Sequence, residues 1–178
     1  MDLIPKHGGY RKLKSFQTTT IIYDLTADFC GRFVKDYRMK DQMVQAARSG
    51  RQNIAEGCQA SGTSKKTELK LIGVARASLE ELLLDFEDYL RQRGLALWDK
   101  NNPLTEKIRQ LAYTEDRSYM TYKTYCADHE SAANTALCLI HQANYLLDQQ
   151  LRALEEQFLK EGGFTERLYQ QRKQSRGY

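Results

Sequence analysis

Two glycines separated by four residues, Gly57 and Gly62, lie in the segment NIAEGCQASGTSKK at residues 53–66. A phosphate-binding P-loop has the pattern G-x4-G-K-[ST], follows a β-strand and binds nucleotide phosphates through backbone amides and its lysine. Here Thr63 occupies the position of that lysine, and the residues before Gly57 have the periodicity of a helix. The sequence therefore argues against a nucleoside-triphosphatase site.

A less specific anion site remains in the same segment. A helix is predicted to begin at Lys65, and the free amide groups at a helix N-terminus attract anions such as phosphate. Lys65 and Lys66 would add two positive charges there. The same residues are also consistent with a capped helix whose lysines are solvated, so both interpretations stay open.

Cysteine and histidine occur in two Cys-x2-His pairs, which are the residue types that bind zinc. The pairs are Cys126 with His129 and Cys138 with His141, and the remaining cysteines are Cys30 and Cys58. On one helix the two pairs would lie about 18 Å apart and about 120° around the axis, so they could not share a tetrahedral ion. We expect four reduced thiols, no metal and no cofactor.

Groups that could catalyse a reaction are sparse. The adjacent carboxylates Glu80-Glu81 and Glu87-Asp88 would point about 100° apart on a helix, which is typical of a solvated face. No Glu-x-x-His motif for a di-iron bundle is present. Tyr119, Tyr122 and Tyr125 could stack on nucleobases or cover the end of a bundle. We predict that the protein is not an enzyme.

Nearly all of the chain has helical periodicity, and no segment has the alternation of a strand. Four long helices are predicted, over residues 15–37, 41–56, 65–93 and 129–160. The second would have Asp41 as its N-cap and would end at Gly57. Two shorter helices are predicted, from Pro103 to residue 113 and over residues 165–174. Residues 1–14 are predicted to be a basic N-terminal tail that is mobile or only partly ordered, and residues 94–127 an irregular insertion.

Apolar residues in the two longest helices recur at spacings of three and four, which is typical of helices packed in a bundle. In the second helix the small residues Ala47 and Gly50 predict close approach of a neighbour, and Asn144 occupies a core-like position in the fourth. The sequence predicts an all-α fold, namely an antiparallel up-and-down four-helix bundle over residues 15–160. Residues 161–178 would be a short basic C-terminal helical extension.

Positive charge is concentrated in the first part of the chain, although the net charge is only +4. Residues 1–76 contain 14 basic and 7 acidic residues, whereas residues 77–178 contain 13 and 16. This asymmetry favours a polyanion-binding surface, with an ordinary solvated surface as the alternative. The candidate nucleic-acid contacts are Arg11, Lys12, Lys14, Arg48, Arg51, Lys65, Lys66 and Lys70.

Targeting signals are not recognisable in the chain. The first 14 residues contain no apolar stretch of the kind found in signal peptides, and no run reaches the roughly 18 apolar residues of a membrane span. We therefore expect a cytoplasmic protein without a membrane partner.

The second and third helices resemble a known family. The motif Asn53-Ile54-Ala55-Glu56-Gly57, followed by Ala-Ser-Leu-Glu-Glu-Leu at residues 77–82, resembles the four-helix bundle family of bacterial 23S rRNA intervening-sequence proteins. The resemblance covers about residues 16–93, and the rest is similar to the long-suffix branch of that family. Gly50-Arg51 stands where the family commonly has an apolar residue and a proline.

This family is similar to the accessory variability protein of diversity-generating retroelements. That resemblance implies a homopentamer that binds nucleic acid and a reverse transcriptase, without enzymatic activity. The leading hypothesis is therefore an oligomeric helical bundle that binds RNA or DNA phosphates as an accessory factor. The alternative is a protein-interaction scaffold in which the residues after Gly94 bind a partner and the charges only confer solubility.

Overall fold

The computed structural model describes residue 4 and residues 6–177. The described residues are mostly helical and contain no β-strand. The α-helices are α1 (Lys14–Phe33), α2 (Tyr37–Ala60), α3 (Lys65–Gln92), α4 (Pro103–Gln110), α5 (Tyr119–Tyr122), α6 (His129–Glu161) and α7 (Phe164–Ser175). The all-α prediction is confirmed. Residues 1–3 and 5 of the predicted tail, and residue 178 of the predicted extension, lie outside the described residues.

The third and fourth long helices begin where the sequence predicts, because each has a capping side chain. Ser64 Oγ accepts a hydrogen bond from the Thr67 amide at 3.1 Å, and Asp128 Oδ1 accepts one from the Ser131 amide at 2.9 Å. Each bond satisfies one of the amides that a helix N-terminus leaves free. Pro103 opens α4, also as predicted.

The boundary between the first two long helices was predicted wrongly. Helix α1 ends at Phe33 rather than near residue 37, and α2 begins at Tyr37, before the predicted N-cap Asp41. The actual N-cap is Asp36, whose carboxylate accepts a hydrogen bond from the Met39 amide at 2.7 Å. Both aspartates are acceptable caps by residue type, and the earlier one is used.

Gly57 does not terminate α2, contrary to the sequence prediction. The helix continues to Ala60, and Gly57 is buried within it. A methyl group added at Gly57 would lie 3.3 Å from both the Glu68 carbonyl oxygen and Leu71 Cβ. Gly57 therefore lets α2 and α3 approach closely, which the sequence pattern did not distinguish from helix termination.

The four long helices contact one another in a cycle, α1 with α2, α2 with α3, α3 with α6, and α6 with α1. Phe29 is central to the core, because its ring centroid lies 5.0 Å from that of Phe86 and 4.8 Å from that of Tyr89. The predicted close approach at Ala47 and Gly50 is confirmed. Ala47 is fully buried, and a methyl group added at Gly50 would lie 2.8 Å from Leu79 Cδ2.

The chain between α3 and α6 is attached to the long helices by specific contacts. Tyr119 Oη donates a hydrogen bond to Asp28 Oδ2 at 2.8 Å. The Arg32 guanidinium donates to the carbonyl oxygens of Cys126 and Ala127, each at 2.9 Å. Helix α4 packs on α6. The predicted insertion therefore forms an ordered layer on one side of α1 and α6.

In the described part of the chain, no helix has both the length and the apolar character needed to cross a membrane.

Candidate nucleic-acid interface

The N-terminal segment before α1 folds over the corner between α2 and α3. The Gly8 amide donates a hydrogen bond to the Cys58 carbonyl oxygen at 3.2 Å, and the Cys58 thiol donates to the Gly8 carbonyl oxygen at 3.1 Å. A methyl group added at Gly62 would lie 2.8 Å from His7 Cγ. The second glycine of the P-loop-like segment is thus needed for contact with the N-terminal segment.

This folding places Arg11 and Lys12 at the end of the molecule where α2 ends and α3 begins. They belong to a 3₁₀ turn, Tyr10–Lys12, that contacts α1 and α2. Both side chains are exposed, and the Arg11 guanidinium lies 5.3 Å from the centroid of the Tyr10 ring. Lys14, the first residue of α1, is also exposed.

The lysines of α3 separate into two kinds. Lys66 and Lys70 are exposed and four residues apart, so they share one face of the helix. Lys65 Nζ instead forms an ion pair with Glu68 Oε2 at 3.0 Å, and the two side chains are only 15% and 8% exposed. The charge of Lys65 is therefore largely compensated, although the sequence places it beside Lys66.

The two arginines of α2 also differ. Arg48 is exposed, whereas Arg51 is partly buried with its guanidinium 4.8 Å from the centroid of the Tyr23 ring on α1. Arg51 Nε is shielded from solvent and has no hydrogen-bond partner. Arg51 therefore packs α2 against α1 through a cation–π contact, which leaves less of its charge for an external phosphate.

The metal-capable residues serve different parts of the fold. Cys126 donates a hydrogen bond to the Tyr122 carbonyl oxygen, and burial raises the pKa of its thiol to about 11. His129 Nδ1 lies 3.2 Å from Tyr89 Oη, in a contact between α6 and α3. Within residues 4 and 6–177, no three His, Cys, Asp or Glu side chains are grouped as metal ligands, and the four cysteines are free thiols.

Tyr122 is fully buried, so it cannot stack on a nucleobase. Its hydroxyl accepts a hydrogen bond from the Arg117 guanidinium at 3.0 Å. Burial, followed by the hydrogen bond to Asp28, raises the pKa of Tyr119 and keeps its phenol protonated. Of the two interpretations of the tyrosine run, the structure therefore supports packing against the bundle for Tyr119 and Tyr122.

Comparison with known families identifies the chain. The family model described as 23S rRNA-intervening sequence protein matches residues 12–114, which is more than half of the sequence. The chain belongs to this family. No curated protein and no solved structure matches it. The family match includes α1 to α4 and the motif at residues 53–57, whereas α6 and α7 lie beyond it.

All candidate contacts except Arg11 lie within the matched residues. A cavity of about 720 Å³ lies partly outside them, between α4, the chain that follows α3, and α6. Its lining includes Trp98, Arg109 and Gln142, none of which was predicted as a site residue. The single tryptophan in an irregular segment was the one sequence signal that could have pointed to this cavity.

Proposed function

We propose that the protein binds nucleic-acid phosphates at the surface formed by Arg11, Lys12, Lys66 and Lys70, here called the basic end. The observation that carries the proposal is the folding of the N-terminal segment over the α2–α3 corner. It brings cations from two separate parts of the chain to the same end as the N-terminus of α3. The family description names a 23S rRNA intervening sequence, which is compatible with association with nucleic acid.

The electrostatics of the basic end support this proposal. Among the ion pairs between described residues, none includes Arg11, Lys12, Lys66 or Lys70. Exposed cations without a fixed counter-charge keep their attraction for a polyanion, and the amides of α3 add a partial positive charge. The secondary contacts in this proposal are Lys14, Arg48, Arg51 and Lys65. Of these, Arg51 already interacts with Tyr23, and Lys65 already interacts with Glu68.

We infer further that the long helices form an antiparallel up-and-down bundle. The order of contacts supports this arrangement, because residue numbers rise along one helix as they fall along its neighbour. Between α1 and α2 the contacting pairs are Tyr23 with Arg51 and Cys30 with Met43, and between α2 and α3 they are Gly50 with Leu79 and Gly57 with Leu71. Between α3 and α6 they are Arg76 with Asp148 and Tyr89 with His129. Between α1 and α6 they are Ser15 with Gln150 and Phe33 with His129. This topology places the start of α1, the end of α2 and the start of α3 together at the basic end.

The biological role in this proposal is that of a non-enzymatic accessory factor of the long-suffix branch. A reverse transcriptase is the proposed protein partner. This part rests on the sequence resemblance to the accessory variability protein of diversity-generating retroelements.

Salt dependence tests the proposed binding. With four phosphate contacts, the affinity for structured RNA should fall about 100-fold between 50 and 200 mM salt, because each contact releases condensed counterions. Filter binding at the two salt concentrations, with duplex and single-stranded DNA in parallel, measures this change. Failure to retain any of these nucleic acids at 50 mM salt would contradict the proposal.

A homopentamer is the proposed assembly. Val74 and Leu84 on α3, Met120 on α5 and Leu159 on α6 are large exposed apolar side chains, and a ring of identical subunits could bury such surface. Five subunits of 20.6 kDa predict a mass of about 100 kDa in light scattering. A mass of 20.6 kDa, that of one chain, would exclude the ring.

A further inference from the structure

The cavity beside α6 has a size suited to a small ligand. Its volume is about 720 Å³, and small-molecule sites commonly measure roughly 300 to 1,000 Å³. Helix α4 and the chain before it form one wall, α6 forms the opposite wall, and Lys14 and Thr18 of α1 lie at its edge. None of the four residues that define the basic end lines this cavity.

The charges around the cavity favour an anionic ligand. Four cationic side chains line it, compared with the two carboxylates of Glu87 and Asp99. The cations are Lys14, Lys100, Arg109 and Arg117. Arg117 donates its hydrogen bonds to the hydroxyl groups of Tyr122 and Thr18, which are neutral, so these bonds leave its positive charge uncompensated.

One polar side chain of the cavity lining has unused hydrogen-bonding capacity. Both carboxamide atoms of Gln142 are shielded from solvent and have no hydrogen-bond partner. A carboxamide can donate two hydrogen bonds and accept others, so leaving it unpaired is unfavourable. Rotation of Gln142 toward a ligand would break no existing hydrogen bond.

An aromatic ring is held at the same cavity. The Trp98 amide donates a hydrogen bond to Asn134 Oδ1 at 2.8 Å, and Asn134 Nδ2 donates to the Ala96 carbonyl oxygen at 2.8 Å. These bonds attach the backbone around Trp98 to α6. Tyr113 and Tyr145 also line the cavity, and both are exposed. The site therefore combines planar rings, cations and an unpaired carboxamide.

We propose that this cavity binds one unpaired nucleotide, either free or within a single strand. The base lies against Trp98, Gln142 binds the hydrogen-bonding edge of the base, and Arg109 and Arg117 attract the phosphate. Single-stranded nucleotides are recognised in this way elsewhere, by aromatic stacking, edge hydrogen bonds and cationic contacts to phosphate. A carboxamide suits this role because it offers a donor and an acceptor side by side.

Trp98 is the only tryptophan of the chain, so its fluorescence reports on this cavity. We expect a saturable change on titration with at least one of AMP, GMP, CMP and UMP. Ribose 5-phosphate and inorganic phosphate should bind at least about 10-fold more weakly, because they cannot stack. Absence of a saturable change with all four nucleotides, or an equal response to phosphate alone, would overturn the proposal.

A matched pair of variants on α6 tests the role of the carboxamide. Gln142→Leu should weaken nucleotide binding at least about 10-fold without lowering the melting temperature, because it removes an unpaired polar group. Gln149→Leu makes the same change at an exposed position seven residues further along α6 and should bind as the unaltered protein does. Equal affinities for the two variants would contradict the assignment of Gln142.

Competition distinguishes the two sources of the nucleotide. Displacement of the bound mononucleotide by a single-stranded RNA tetramer, but not by duplex RNA, would indicate an unpaired nucleotide within a strand. Displacement by neither RNA would assign the cavity to free nucleotides. The proposed binding of RNA at the basic end is tested separately, by filter binding rather than by Trp98 fluorescence. A negative result for one site can therefore be distinguished from a negative result for the other.

Discussion

Reversing the charge of the basic end, with Arg11→Glu, Lys12→Glu, Lys66→Glu and Lys70→Glu together, is expected to reduce RNA affinity at 50 mM salt by at least about 100-fold. Each substitution removes a cation that attracts a phosphate and adds an anion that repels one. The remaining affinity should also depend less on salt, because the logarithmic slope decreases by about one unit for each phosphate that is no longer bound. Filter binding across a salt series measures both effects.

A second reversal set controls for the change in net charge. This control set alters the charge by the same amount at exposed positions away from the basic end. Its substitutions are Lys35→Glu, Arg38→Glu, Lys107→Glu and Lys123→Glu. This control set should retain most of the affinity and the original salt slope. Equal reductions in affinity for the two sets, with both proteins folded by circular dichroism, would show that binding follows net charge and does not occur at the basic end.

The reversal of the basic end also separates the two classes of function. If the protein binds nucleic acid, some of the partners that it recovers from lysate should be held by RNA or DNA. Nuclease treatment of the lysate should remove those partners. If a protein partner is still recovered after nuclease treatment and with the four substitutions at the basic end, its recovery does not depend on phosphate binding. That result would favour the scaffold interpretation.

Gly50→Val is expected to lower the free energy of unfolding by about 3 kcal/mol, near the upper end for overpacking of a core. Even the Cβ atom would lie 2.8 Å from Leu79 Cδ2 and 3.0 Å from its Cγ, and Leu79 is fully buried. Leu79 therefore cannot move aside without displacing its own neighbours, so α2 and α3 must separate. Urea denaturation should detect the destabilisation, and the melting temperature should fall by about 6–12 °C.

Gly73→Val is the matched control for this prediction. Gly73 lies within α3, but an added Cβ would meet no neighbouring atom within 4 Å. The free energy of unfolding of the Gly73→Val variant should differ from that of the unaltered protein by less than about 0.5 kcal/mol, since valine and glycine differ only modestly in helix propensity. Equal stabilities of the two variants would contradict the close approach at Gly50. Gly50→Ala should be less destabilising than Gly50→Val, because alanine is the better helix former.

The cap residues show where sequence reasoning succeeded and where it did not. The helix starts after Ser64 and Asp128 were predicted correctly, because each precedes a long helix with a regular apolar spacing. Between α1 and α2 the predicted N-cap, Asp41, was wrong, because α2 begins earlier and Asp36 caps it. Residue type shows where a helix can begin, but it does not show which of two nearby aspartates the folded chain uses.

The candidate site divides in the same way. The composition indicated a basic first half, and the residue types identified the possible contacts. The sequence could not distinguish Lys66 from Lys65, whose ammonium group is paired with Glu68 three residues later. Nor could it place Arg11 and Lys12 at the end of the molecule where α3 begins, since that depends on the contacts of His7 and Gly8 with a corner about 50 residues away.

By itself, the sequence determined the all-α fold, the start and approximate length of the third and fourth long helices, the close approach at Gly50 and the resemblance to the family. These properties follow from local spacing, because a helix repeats every 3.6 residues and its caps lie within one turn. Only the tertiary structure decided that Gly57 and Gly62 are packing positions, which cations remain uncompensated and where the cavity beside Trp98 lies. Each of these depends on side chains that are distant in sequence and adjacent in space, and no periodicity records such neighbours.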